Sequence, residues 1–123
     1  MNWIYYQVSS NVMKTIFLIL LFSALLPLSL KGQKVYVVKY ESQADLKVYV
    51  VEYESQCDLK VYKVEYESQA SEDGLWYFVE YESQADKKIY FVEYESQADL
   101  KIYVVEYKSQ AGWRNQEKQH LLL

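Results

Sequence analysis

The chain is poor in the residue types that most often mark reaction centres and covalent cross-links. Its 123 residues include one Cys, one His, one Pro and three Gly. A single cysteine, Cys57, excludes an intramolecular disulfide, and His120 has no second metal-type ligand at a recognisable spacing. No glycine-rich phosphate loop, nucleophile elbow, paired-Cys motif or metalloprotease motif is present. We therefore predict no catalytic, cofactor-binding or metal site, and expect a protein that is not an enzyme.

The charge balance argues against nucleic acid as a partner. The chain carries 17 acidic and 13 basic side chains, a net charge of −4. Two of the lysines, Lys14 and Lys31, precede the repeat region, which is therefore more acidic than the whole. Phosphate neutralisation requires a basic stripe, and here Lys and Glu alternate. The partners are otherwise unknown from the sequence, which leaves self-association open.

The N-terminal segment has the pattern of a secretory signal peptide. Met13 and Lys14 provide a charged start, and the apolar run 16–30 provides a short hydrophobic core that contains Pro27 near its end. The run of about fifteen residues is shorter than the roughly eighteen to twenty that a membrane-spanning helix needs. A cleaved signal is favoured over a membrane span, although Leu30 fits a small-x-small cleavage pattern poorly.

These features predict two parts of the chain. Residues 1–32 are interpreted as an upstream extension plus a signal peptide, with Met13 as the start and cleavage near Gly32. Residues 33–123 are interpreted as a single β-repeat domain without a transmembrane span. The expected location of this mature chain is secreted, periplasmic or in the cell envelope.

Six near-copies of a thirteen-residue phrase fill the region from Val35 to Ala111. The second tyrosine of each copy marks the repeat, with spacings of 13, 13, 15, 13 and 13 residues. These residues are Tyr40, Tyr53, Tyr66, Tyr81, Tyr94 and Tyr107. The long interval separates two triplets of copies. Repetition of this kind specifies architecture better than chemistry, because every copy must pack against its neighbours.

Within each copy, apolar residues alternate as in a β-strand. Tyr36, Val38 and Tyr40 fall on one side, and every copy repeats this Tyr-Val-Tyr face. β-branched and aromatic residues favour such a half-buried strand. We expect the Tyr-Val-Tyr face to be the sheltered core face. The functional alternative, a ligand-binding aromatic stripe or oxidative cross-linking, requires this face to be exposed.

The segment Glu-Ser-Gln-Ala-Asp-Leu-Lys must break each strand, because an odd repeat length would otherwise exchange the two faces. Its aspartates are expected to bond nearby backbone amides as turn residues do; they are Asp45, Asp58, Asp86 and Asp99. Seven residues are too few for a helical crossover, which excludes a βαβ fold. Between the triplets, the segment 71–74 is expected to form an exposed, flexible reversal. The final leucines, 121–123, are expected to pack back as a cap.

Two other features have both a chemical and a structural interpretation. Carboxylates two residues apart, such as Glu52 and Glu54, offer oxygen atoms that suit proton transfer or the binding of Ca²⁺. Their repetition near lysines such as Lys60 predicts ion pairing instead. Cys57 stands where the five other copies have Ala, which predicts a small buried substitute. An intermolecular disulfide or a reactive thiol is the alternative.

The chain resembles the Septknot family of small uncharacterised bacterial proteins over Lys34 to Leu123. The resemblance lies in the repeated motif Val-Tyr-x-Val-x-Tyr-x-Ser-x-Ala-Asp and in the sequence Ala-Gly-Trp that follows the last repeat. This resemblance implies an all-β chain whose repeats wind as a seven-crossing torus knot, with no established activity, cofactor or catalytic residue. The two triplets fit a winding in which one makes a circuit and the other interleaves with it. Spacing by itself leaves a small closed β barrel or a β solenoid open, and true knots are rare.

The function expected from these features is structural. We predict an uncharacterised exported β-repeat protein with a structural or binding role in the bacterial envelope. The alternative is a self-assembling fibre or an adhesive surface protein, since similar strands can template one another. Charges within the strands, such as Lys39, Glu52 and Lys63, weigh against a dry fibre core.

Overall fold

The computed structural model describes residues 32–123, which consist of β-strands and 3-10 turns. The strands are β1 (Gln33–Val37), β2 (Leu46–Val50), β3 (Leu59–Lys63), β4 (Leu75–Phe78), β5 (Lys87–Phe91), β6 (Leu100–Val104) and β7 (Gly112–Trp113). The prediction of an all-β chain is confirmed. The extension and signal peptide predicted for residues 1–32 lie outside the described residues, except for Gly32.

Six parallel strands close into a barrel. The order around it is β4-β1-β5-β2-β6-β3, and pairing of β3 with β4 completes the circle. The strands of the second triplet therefore lie between those of the first, which confirms the interleaved winding. β7 adds an antiparallel pair to β3. Closure pairs each of β1–β6 on both edges, so that none of these six is an open edge strand.

Neighbouring strands are displaced by two residues in one constant sense. Val37 of β1 lies opposite Ile89 of β5, and Ile89 lies opposite Leu46 of β2. The same displacement repeats between all neighbouring strands of the barrel. Equivalent residues of the six tilted strands therefore lie at the same level along the barrel axis. The inward-facing side chains consequently form three layers of six, which we name the amino-end, middle and carboxyl-end layers by their position along the strands.

The middle layer is the core of the barrel. Its members are Val35, Val48, Val61, Trp76, Ile89 and Ile102. None is more than 2% exposed. The amino-end layer contains Leu46, Leu59 and Leu100, and Leu122 joins the same cluster. The side-chain amide of Gln33 donates to the Leu122 carbonyl at 2.9 Å. The predicted cap is thus confirmed for Leu122, whereas Leu123 is 75% exposed.

The expected core face is wrong. Val35 and Val38 are buried, whereas Tyr36 is only half-buried and Tyr40 is 66% exposed. The reason is that β1 ends at Val37 and the chain leaves the sheet at Val38. Simple alternation therefore stops before the second tyrosine is reached. Tyr40 directly precedes a 3-10 turn outside the barrel.

Each ordinary connection passes over one strand of the other triplet. In the first connection, the Val38 amide donates to the Ile89 carbonyl at 2.9 Å, and the Asp45 amide donates to the Lys88 carbonyl at 2.8 Å. Because successive carbonyls of a strand point to opposite edges, the connection holds β5 from both sides. Each connection contains a three-residue 3-10 turn, such as Glu41–Gln43, so the prediction that no helical crossover occurs is confirmed.

The third connection differs because it turns back. It reaches β1, where Glu67 lies 3.3 Å from Lys34, and then returns to form β4 beside β3. The predicted reversal is present, and Ser71 and Glu72 are exposed as expected. Gly74 is buried, with φ +85°. A Cβ there would overlap the Lys60 carbonyl oxygen and lie 2.7 Å from the Gly112 nitrogen.

Replacing Gly74 with Ala is expected to destabilise the domain severely. Positive φ alone costs an L-residue about 1–2 kcal/mol, and the overlap with Lys60 adds to this. Gly112→Ala is a matched control, since Gly112 has φ +143° but no atom within 4 Å of the place where an alanine methyl group would lie. Urea unfolding followed by tryptophan fluorescence measures both. Equal losses of unfolding free energy in the two variants would contradict the close approach at Gly74.

Candidate functional site

Among the tyrosines, phenylalanines and tryptophans of residues 32–123, the most exposed are the second tyrosines of the repeats. Each precedes the 3-10 turn of its connection, in extended backbone. The six are 61–66% exposed: Tyr40, Tyr53, Tyr66, Tyr81, Tyr94 and Tyr107. They are distributed around the barrel, one on each connection. The exposure that the aromatic-binding alternative required is therefore present for these six, and not for the half-buried tyrosines of the strands.

The paired glutamates of each repeat have different surroundings. In three of the four pairs the second glutamate forms an ion pair with a lysine six residues later, as Glu54 does with Lys60 at 3.6 Å and Glu95 with Lys101 at 3.5 Å. Glu67 instead pairs with Lys34. The predicted ion pairing is confirmed for these residues. The first of each pair, such as Glu52 and Glu93, is exposed and forms no ion pair with residues 32–123. Exposed ion pairs contribute little stability, so these charges mainly define the surface.

The repeated aspartates bind distant strands, so the expectation that they bond nearby amides is wrong. In each, one carboxylate oxygen accepts a hydrogen bond from the backbone amide of a lysine 43 or 52 residues away, at 2.9–3.0 Å. The pairs are Asp45 with Lys88, Asp58 with Lys101, Asp86 with Lys34 and Asp99 with Lys47. The amide of the same aspartate donates to the carbonyl of that lysine. We call this two-way contact the aspartate clasp.

The second connection carries the one aspartate clasp that is buried within the described chain. Asp58 is 5% exposed, and its second carboxylate oxygen accepts from the Asn115 side chain at 3.1 Å. Its carbonyl accepts from the amides of Arg114 and Asn115 at 2.8 and 2.9 Å. The C-terminal segment is thereby fixed to the second connection. A cleft of about 450 Å³ beside it is lined by Cys57, Asp58 and Arg114 among others.

Cys57 is 2% exposed, which confirms the prediction of a small buried substitute for Ala. Burial raises the pKa of its thiol, and the positive charge of Arg114 opposes this shift only in part. The thiol therefore stays protonated and shielded at neutral pH, which is unfavourable for a nucleophile. The Arg114 side chain contacts the Cys57 carbonyl at 3.5 Å rather than the sulfur.

The remaining candidate groups lie apart. His120 is exposed, with its ring Nδ1 2.9 Å from the Glu117 carbonyl oxygen. Across residues 32–123, no three His, Cys, Asp or Glu side chains are grouped so as to hold a metal ion. The same part of the chain contains no helix with the length and apolar character of a membrane span. The chemistry on this surface is therefore repeated hydrogen bonding, charge and aromatic contact.

The comparison with known families identifies the architecture. A family model described as a 7(1) septoil knot domain matches residues 32–114. The match extends over more than half of the chain and includes all six repeats. No curated protein matches the chain. The interleaved barrel described above is consistent with the knotted topology that the family description gives.

Asp58→Ala is expected to destabilise the domain by about 2 kcal/mol, because it leaves a part-buried amide of Lys101 without its acceptor. Asp45→Ala is the matched control: it removes the equivalent carboxylate acceptor at an exposed position, where water replaces the lost partner, and about 1 kcal/mol or less is expected. Urea unfolding measures both losses. Equal losses would show that burial beside Asn115 gives Asp58 no additional role.

Proposed function

Since this chain belongs to the family of 7(1) septoil knot domains, we propose that it is an exported, non-enzymatic domain with a structural or binding role in the bacterial envelope. Export rests on the charged start at Lys14 and the apolar run 16–30. The absence of a familiar catalytic motif in the sequence supports a role without chemistry. The family description names a topology and no activity, and the support for this role comes from the surface and the winding of the chain.

The observation that carries the structural role is the clasping of strands across the two triplets. Four connections each hold a strand of the other triplet through backbone hydrogen bonds on both edges. To release β5, for example, the chain must break contacts at Val38 and Asp45 and then withdraw one triplet from the other. Such a process has a high kinetic barrier. Slow unfolding limits the irreversible loss and proteolysis of the folded domain, which is useful to a protein outside the cytoplasm.

The binding role is supported by the outer surface. Six tyrosines project from the connections, four of which are fixed at both ends by backbone hydrogen bonds. A tyrosine on a rigid support offers apolar area and a hydroxyl group with little loss of conformational entropy. Several similar contacts on one domain also raise the apparent affinity for a repetitive partner.

The alternative, a self-assembling fibre, has less support. Fibre growth through strand pairing needs a free strand edge, and β1–β6 are each paired on both edges within the chain. Adhesion through the exposed tyrosines is compatible with a closed barrel, because it needs side chains rather than backbone edges.

Slow unfolding and slower refolding are expected from the proposed winding. Non-local pairing of strands such as β1 and β5 must precede the stabilising contacts, which slows folding. Stopped-flow fluorescence after a jump out of guanidinium measures the rates. Residues 33–123 contain no proline, so a slow phase of this domain cannot be assigned to proline isomerisation. A complete return of signal within milliseconds, without a slow phase, would contradict the threaded path.

Export is expected to depend on the apolar run. In a bacterial host, the tagged full chain should appear outside the cytoplasm, and the substitutions Leu20→Arg and Leu21→Arg should retain it inside. Ile4→Arg and Tyr5→Arg are the matched control, since they place the same charges before Met13, where we propose that the natural chain begins. Cell fractionation with N-terminal sequencing reads the outcome. Cytoplasmic location of the unaltered chain would exclude the envelope role.

A further inference from the structure

The carboxyl-end layer of the barrel is apolar and exposed. Its members are the last residues of the six parallel strands: Val37, Val50, Lys63, Phe78, Phe91 and Val104. Each lies two residues after a member of the middle layer and so shares its inward face. Val37, Val50, Phe91 and Val104 are 38–53% exposed. Five apolar side chains and one lysine therefore surround the barrel axis at this end, which we call the mouth.

The two ends of the barrel are treated differently. At the amino end, Leu122 is buried against the core and Trp113 and Leu121 pack beside it. At the mouth, no segment of residues 32–123 provides an equivalent cover, as the exposure of its three valines and Phe91 shows.

The floor of the mouth is continuous with the core. Phe78 packs against the core cluster, and its ring meets Trp76 edge-to-face with centroids 6.4 Å apart. The ammonium group of Lys63 lies 5.4 Å from the centre of the Phe78 ring. A side chain that enters the mouth would therefore meet packed, largely apolar surface, which favours burial of an apolar group.

The rim of the mouth is acidic. Two residues after each mouth residue the chain carries an exposed charge, namely Lys39, Glu52, Glu65, Glu80, Glu93 and Glu106. Five of these six positions are glutamate. Glu65 lines the same cleft as Lys63 and Phe78. None of these glutamates takes part in an ion pair within the described chain, so their charge is available to a partner.

We propose that the mouth binds a basic peptide segment, with an aromatic or aliphatic side chain inserted among the mouth residues and flanking Lys or Arg on the rim glutamates. Charge complementarity selects this occupant. A second copy placed mouth to mouth would bring two acidic rims together, and an acidic amphiphile would face the glutamates. The proposal gives the binding role above a partner class and rests on that role, but it does not depend on export.

The test uses the chain expressed in full length and purified as the cell processes it. Dye-labelled peptides Lys-Lys-Trp-Lys-Lys, Glu-Glu-Trp-Glu-Glu and Lys-Lys-Ser-Lys-Lys are titrated while fluorescence anisotropy is recorded. We expect saturable binding of the first peptide, little binding of the other two, and weakening as salt rises. Equal binding of the acidic peptide, or no binding of the first, would overturn the proposal.

Variants locate the site. Phe91→Ser removes apolar surface from the mouth and is expected to weaken binding about tenfold. Leu123→Ser removes exposed apolar surface at the opposite end of the barrel and should leave binding unchanged. Val104→Ser serves if Phe91→Ser does not fold.

Equal affinities of mouth and control variants would place the contact elsewhere, on the tyrosines of the connections, and would overturn the assignment. Concentration-dependent dimerisation lost in Phe91→Ser would do so too, because a second copy would then occupy the mouth. Failure of export in the fractionation experiment leaves these titrations intact, so the two proposals fail separately.

Discussion

The fold depends on pairs of backbone hydrogen bonds that fix a connection across a strand from the other triplet. At β5 the bonds to Ile89 and Lys88 leave from opposite edges, so β1 and β2 are set one strand apart with β5 between them. Repeated around the circle, this spacing leaves room for a second triplet and forces the interleaving. The aspartate clasp reinforces the same contact with a charged acceptor, which makes a stronger bond than a neutral one. Barrel closure and the three inward layers follow from this single spacing.

Some positions of the barrel interior differ from the repeated pattern of the other strands. In β4 the middle layer holds Trp76, where the other strands have Val or Ile, and the inward residue two positions earlier is Gly74. A large and a small side chain on neighbouring levels of one strand keep the interior filled without overpacking. The indole nitrogen of Trp76 is buried and has no hydrogen-bond partner among residues 32–123. The contribution of this side chain to the core is therefore the space that it fills. The cleft beside Cys57 is another irregular position, and it lies where the C-terminal segment meets the second connection.

The sequence was sufficient for the strands, the short connections and the division into two triplets, because alternation and spacing are local properties of the chain. The interleaving of the triplets is not local, and it was expected only from the resemblance to the knotted family. It was insufficient for the partners of Asp45 and Asp99, which are lysines 43 and 52 residues away. It misplaced Tyr40 because nothing in the letters marks the exit of the chain from the sheet at Val38. Val35 and Val37 also look alike in sequence, although one lies in the core and the other at the mouth. The two differ only in their distance from the end of the barrel. Where the barrel ends depends on how all six strands pair, and one strand's sequence does not show it.

The contact between Gln33 and Leu122 places both ends of the described chain at the amino end of the barrel. The two ends of the barrel therefore differ: both termini of the described chain lie at one end and the mouth lies at the other. Any tether joined to either terminus would leave from the base, and the open side would be directed away from the attachment. Fusion partners, labels or surface anchors placed at either end should therefore present the hydrophobic opening outward in the same orientation.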